Sequence, residues 1–365
     1  MRSAQAATDS RDPTRLDWTA IVAALLLAGY GYLLCDMASF SAGGSDSSGY
    51  LNSARLFTEG KLAESVDPLT RFGLPQRDIR VFIPLGFSPG ARPGTMVPSY
   101  PPGLPLQMAL AALLGGWTRA PFWISPLSAL ASLILIYAVA RELGLTRAAA
   151  AGAPVILAAF PTLIFFGLQP MSDVPATAWG LAAALAALLS RKKPNAAVLC
   201  GAALGVSVLI RPTNGLLAIP LFFAMPASPR LYLRAVLGGI GFLAFLLGYY
   251  WICNGSPWVS GYGSLLGSFS FARFPARAWH YTYWLCALAT PLLPIGWIAV
   301  SGVRGMPGRD RAFLTLWFAV FFLFYSGYDP YSTWWYTRFL LPALPAMILA
   351  TLFVAERCFL GPARS

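Results

Sequence analysis

The chain has 365 residues, of which 57% are hydrophobic and only 11% charged, with a formal net charge of +12. A soluble domain carries roughly 25% charged residues, so this chain cannot cover a globular surface with charge, and disorder would need the opposite composition. An integral membrane protein remains, and the basic residues, lying between apolar runs, speak for membrane topology rather than a nucleic-acid partner.

A helix needs about 20 apolar residues to cross a hydrocarbon core of about 30 Å. Taken in chain order, ten segments qualify: 18–35, 121–140, 148–168, 174–190, 194–210, 212–227, 235–252, 279–300, 312–328 and 339–356. The first follows a short tail, 1–17, expected to be cytoplasmic, and lacks a small-residue cleavage pattern before Cys35, so it reads as a retained anchor. An eleventh apolar run, 100–117, is ambiguous by hydropathy. Loop charge decides it. If 100–117 does not cross and the N-terminus is cytoplasmic, the larger share of the 26 Lys and Arg residues falls on the cytoplasmic side, and most of that share moves outside if it does cross. The run is therefore expected to lie at the outer membrane face as an amphipathic or re-entrant helix.

The expected architecture is a single all-α polytopic membrane domain, 1–365, of about ten transmembrane helices. A long first extracytoplasmic loop, 36–120, carries juxtamembrane helices, and the remaining helices occupy 121–356. Prolines at 68, 75, 84, 89, 93 and 98 forbid a long helix in that loop. Its apolar residues, Phe72, Val81, Phe82, Ile83, Leu85 and Phe87, predict that it packs. The five cysteines form no C-x-x-C pair and His280 is the single histidine, so a thiolate–imidazole metal site is not expected. The cysteines read as small buried hydrophobes.

In so apolar a chain, charges near the membrane need a reason. Asp46 follows a Gly/Ser-rich turn, directly before an expected helix, and could be a helix cap or a catalytic acid. Asp173, in Ser172-Asp173-Val174-Pro175, could again be a cap, or a second acid facing the same cavity. Asp329, in Tyr328-Asp329-Pro330, reads as a turn residue. Arg211 and Arg338 end or precede apolar segments. They could snorkel beside an aromatic belt, or use their planar forks to hold phosphate oxygens. Tyr50, Tyr100, Trp258, Tyr262, Tyr331 and Trp335 could belong to that belt or line a sugar site.

The order of these short motifs resembles one class. An Asp after the first crossing precedes Gly49-Tyr50-Leu51 and Ala54, and then come Tyr100-Pro101-Pro102-Gly103, Ser172-Asp173-Val174-Pro175, Arg211-Pro212-Thr213-Asn214, and Arg338-Phe339 with Leu341-Pro342. In this the chain resembles the GT-C class of integral-membrane glycosyltransferases, and within it the bacterial relatives of protein O-mannosyltransferases and the lipid A aminoarabinose transferase. The resemblance implies a polyprenyl-phosphate sugar donor, a glycan, lipid or protein acceptor, and chemistry on the extracytoplasmic face of a bacterial inner membrane, with both termini cytoplasmic and membrane lipids as further partners. It matches Asp46 to the family's first-loop catalytic acid and leaves Asp173 as its companion. Many members carry a paired acidic dipeptide there, whereas Ser45 and Ser47 flank a single acid here, so a divalent cation is not implied with the same force. The competing class is a transporter or flippase of a lipid-linked sugar. It would want internal repeats and polar residues at the membrane midplane. No repeat is evident, and the acids gather towards one face.

Overall fold

The computed structural model describes residues 18–263, 269–328 and 333–360. The expected tail 1–17, Asp329 and Tyr331 lie outside the described residues. The chain is predominantly helical. It opens with α1 (Trp18–Met37), and the long loop follows with α2 (Ser45–Thr58), α3 (Asp67–Arg71), α4 (Ile79–Phe82) and α5 (Gly103–Gly115). Three short strands interrupt that loop: β1 (Glu64–Ser65), β2 (Phe87–Pro89) and β3 (Thr95–Pro98). They pair antiparallel in the order β1-β3-β2, with Glu64 opposite Met96 and Ser88 opposite Val97. This sheet corrects the all-α expectation. Its cause is the spacing of Pro84, Pro89 and Pro98, which rules out helix and leaves extended pieces short enough to pair.

The rest of the chain is α6 (Ile124–Glu142), α7 (Arg147–Ala158), α8 (Pro161–Gly167), α9 (Asp173–Leu189), α10 (Ala196–Ile210), α11 (Ala218–Ala224), α12 (Pro229–Asn254), α13 (Phe274–Leu288), α14 (Leu292–Ala299), α15 (Gly308–Gly327) and α16 (Leu344–Leu360). Each apolar segment read from the sequence holds helix. Fewer are straight enough to cross in one piece. Ala120–Glu142 and Pro229–Asn254 have the length and apolarity of a full span, and three bent pairs raise the number to five if each pair is one span. That falls short of the ten expected crossings. Breaks account for part of the difference. Pro161 starts α8 after a 61° bend, and the run read as 279–300 turns by 115° between α13 and α14, where Pro291 stands.

The long loop packs on itself and on the helices, and α2 and α5 place Tyr50, Ala54, Leu104 and Met108 in the main core. Val66, Leu69 and Ile79 form a small core with Ile83 and Met96. Val97 joins Leu209, Leu246, Tyr249, Tyr250 and Cys253, fastening the sheet to the ends of α10 and α12. The loop therefore packs, although Phe72, Val81 and Leu85 are exposed and take no part. Cys200 and Cys253 are buried as expected, whereas Cys35 and Cys358 are exposed.

Candidate active site

Asp46 lies in the first turn of α2, whose N-cap is Gly44. Tyr100 Oη donates to its Oδ1 at 2.8 Å, and Arg338 Nη2 donates to its Oδ2 at 3.1 Å. Asp173 begins α9, whose N-cap is Ser172, and is buried. It pairs with Arg211, while Arg338 Nη1 lies 4.0 Å from its Oδ2. Arg338 thus stands between the two acids, and its 3.1 Å contact to Asp46 closes a chain Tyr100–Asp46–Arg338–Asp173–Arg211. Buried charges persist only when paired in this way.

Local backbone explains how each arginine is presented. Pro212 ends α10, so Arg211 adopts an extended conformation at its C-cap, with its amide still bonded to Ser207 O at 2.8 Å. Two residues on, Asn214 Nδ2 donates to Ser207 Oγ at 2.7 Å and to Ala176 O at 3.2 Å, stitching this turn to α9. Arg338 sits in a 3-10 turn, Trp334–Leu340, that precedes α16. Thr337 Oγ1 and Thr162 Oγ1, 2.9 Å apart, tie that turn to α8. The Arg338 guanidinium lies over Phe166 and Phe339, at 5.3 and 5.4 Å from the ring centroids, and Arg211 lies 5.1 Å from that of Phe339. Phe339 stacks on Tyr325, whose hydroxyl donates to Thr213 at 2.8 Å.

These side chains open on a cavity of about 490 Å³. Asp46, Asp173, Arg211, Arg338, Tyr50 and Tyr262 all line it, as does Trp258. Tyr100 and Trp335 do not. Tyr100 stands behind Asp46, and Trp335 packs between Trp334 and Tyr336. Tyr50 donates to Ser172 Oγ at 2.9 Å, and burial raises its pKa, with the Asp46 and Asp173 charges adding to the rise. Burial likewise raises Tyr100 and Tyr262, so these phenols remain hydrogen-bond donors at neutral pH. Among the described residues no cluster of three or more His, Cys, Asp or Glu could hold a metal, and both cavity acids face guanidiniums. Reasoning from sequence missed Tyr325 and Phe339 as cavity residues. Both sit in aromatic-rich apolar runs, and nothing in their spacing separates them from core.

A second, apolar cavity of about 720 Å³ runs between α10, α11 and α12, with Leu204, Leu221 and Leu243 among its walls. Pro212, Tyr250 and Trp258 line both cavities, so the two meet there.

Comparison with known proteins fits this arrangement. Residues 99–252 match the family model described as dolichyl-phosphate-mannose-protein mannosyltransferase. No curated protein matches the chain in sequence. In fold, the chain is similar to ArnT from Cupriavidus metallidurans in its apo state, at 15% identity and a TM-score of 0.59, covering 93% of this chain and 59% of that one. It is also similar to the same protein bound to undecaprenyl phosphate, at 12% identity and a TM-score of 0.61, covering 93% and 60%. The chain spans about three fifths of the length of the ArnT structures it matches. The family model covers part of the chain, and the likeness in fold to ArnT extends over nearly all of it.

Proposed function

We propose that the chain is a membrane glycosyltransferase that moves a sugar from a polyprenyl-phosphate donor to a hydroxyl on a glycan, lipid or protein acceptor. Asp46 is the general base, and the reaction takes place at the extracytoplasmic face of a bacterial inner membrane, with both termini cytoplasmic. The observation that carries this reading is the meeting of two acids and two guanidiniums in one cavity, Asp46 with Arg338 and Asp173 with Arg211. A phosphate-linked donor needs cations for its leaving group, and a hydroxyl acceptor needs a base. The apolar groove meeting the charged cavity at Pro212, Tyr250 and Trp258 supports a donor that is charged at one end and hydrocarbon at the other.

In this mechanism the acceptor oxygen bonds to the anomeric carbon while the bond from that carbon to the phosphate oxygen breaks. The electron pair leaves on the lipid phosphate, and the acceptor proton passes to Asp46. One displacement inverts the anomeric centre. The phosphate is already a good leaving group, so the second, acid-form carboxyl of a glycosidase is not needed. Arg211 and Arg338 stabilise the charge developing on the phosphate. Asp173 holds Arg211 in place, and Tyr50, Tyr262 and Trp258 present ring faces and hydroxyls to the sugar.

The test is transfer from a panel of labelled polyprenyl-phosphate sugars, mannose first, in membranes carrying the wild-type chain or Asp46→Asn. The reading expects transfer with the first and none with the second. Wild-type activity in Asp46→Asn would overturn the assignment of the base. Donor that crosses vesicle membranes without being transferred would favour the transporter class.

A further inference from the structure

Tyr100 is absent from the walls of the cavity, yet it is buried beside it and bonded to Asp46. Its ring crosses α2 at Gly49, where an added Cβ would stand 2.2 Å from Tyr100 Cε2 and 2.9 Å from Gly86 Cα. Gly86 packs directly on the same glycine. Its φ is +90°, and a Cβ there would stand 2.4 Å from Gly49 Cα. The missing side chain at Gly49 thus leaves a slot on α2 for the ring and lets the Gly86 backbone touch the helix beside it. The Tyr50 ring covers Tyr100, with centroids 4.7 Å apart, and Tyr262 meets it edge-on at 5.7 Å.

The backbone around Tyr100 is equally constrained. Ser99 N donates to Gly86 O at 2.9 Å. Gly103, which opens α5, lies so close to the end of α10 that an added Cβ would stand 2.4 Å from Ile210 N. The segment that carries Tyr100 is therefore fixed both to the helix bearing Asp46 and to the residue preceding Arg211. The Tyr100 hydroxyl spends its one proton on Asp46 Oδ1 at 2.8 Å, and burial keeps that proton in place. This arrangement consumes structure for a single hydrogen bond, and it leaves Oδ2 as the oxygen turned to Arg338.

We propose that Tyr100 is a positioning residue: seated on Gly49 of α2 and flanked by Tyr50 and Tyr262, it fixes the Asp46 carboxylate so that its other oxygen faces Arg338 and the cavity. The proposal rests on the reading of Asp46 as the base. It differs from a sugar-stacking role for Tyr100 because the ring meets Gly49, Tyr50 and Tyr262 and is absent from the cavity wall.

The experiment compares Tyr100→Phe, Gly49→Ala, the double variant and Asp46→Asn in purified full-length protein, using whichever polyprenyl-phosphate sugar the panel shows to be transferred. Tyr100→Phe keeps the ring in its slot and removes only the hydroxyl. Its kcat is expected to fall roughly 10- to 100-fold, the penalty of a misplaced reacting group, with donor KM within about 2-fold of wild type. Gly49→Ala pushes the ring from the slot and should lower kcat by a similar factor. In the Tyr100→Phe background it should lower kcat no further, because the bond it disturbs is already gone. Thermal unfolding of each variant separates this pattern from loss of folded protein. Wild-type kcat in Tyr100→Phe, or a raised KM with unchanged kcat, overturns the positioning role. If that result appears while Asp46→Asn is inactive, the proposal alone has failed. If Asp46→Asn is active, the reading of the base has failed and takes the proposal with it.

Discussion

An Asp–Arg pair stands at each end of helix α9, and the two pairs have different surroundings. At its start, Asp173 pairs with Arg211. Just past its end, Arg191 pairs with Asp310. Arg191 also spends its Nε on Ala224 O at 2.8 Å, and the neighbouring Arg309 donates to Met225 O at 2.7 Å. Those carbonyls terminate α11, so the arginines there satisfy a helix C-terminus, as cations commonly do. Neither Arg191 nor Asp310 lines the two cavities. At the other end, Arg211 opens on the cavity and Arg338 joins a second acid to the pair. The same residue types make a lock where backbone carbonyls consume the donors, and a candidate site where a cavity adjoins them.

The comparison can be tested by one chemical change, Asp to Asn, at three acids. The largest effect on activity is expected at Asp46, where transfer should fall by at least about 100-fold, the usual size of a general-base contribution. The Asp46 side chain is 31% exposed, so thermal stability in detergent should change little. Asp173→Asn should lose both activity and stability, because Arg211 would be left buried without its partner, an effect of about 3–5 kcal/mol. A folded, stable Asp173→Asn protein would show that this pair is not holding the site together. Asp310→Asn should lower the unfolding temperature and leave donor KM unchanged in the protein that survives. Its effect should be the smaller of the two, since the Arg191 side chain is 31% exposed against 12% for Arg211.

Arg338→Lys tests the bridge between the acids. A single ammonium cannot reach both carboxylates as a planar fork does, so donor KM should rise by roughly 10-fold, the worth of one charge-assisted hydrogen bond. Kinetics like those of wild type would mean that one contact suffices. The smallest expected effect is at Trp258, which is exposed and lines both cavities. Trp258→Ala should raise KM a few-fold for long-chain donors and less for short-chain ones. An equal effect on both would separate the groove from donor binding.

Much of the site was legible in the sequence because charge is scarce. Asp46, Asp173, Arg211 and Arg338 drew notice as costly groups near a membrane, and their short motifs came in the order of a known class. The alternative reading of the two acids as caps was equally open from sequence. The structure adds that Asp46 and Asp173 each stand in the first turn of a helix with a carboxylate turned towards an arginine. Tyr100 was legible as a residue of interest but not in its place. A tyrosine in a Pro-rich turn reads as an aromatic contact, and only its packing on Gly49 of α2 brings its hydroxyl to the acid. The helix breaks at 158–161 and 288–292 were less visible. Apolar composition runs straight through them, while proline sets the bend.

The sequence by itself determined the class of solvent, the helical segments and the charges that had to be explained, because hydropathy and charge act over neighbouring residues. Tertiary structure decided which charges meet. Asp46 and Arg338 lie 292 positions apart, and no local pattern encodes a 3.1 Å contact over that separation. It also decided that the prolines of the long loop leave room for a sheet, and that the arginine just past the end of α9 serves as a lock while the acid at its start faces a cavity. Those outcomes depend on what fills the space around each group, and that is fixed only when the whole chain has packed.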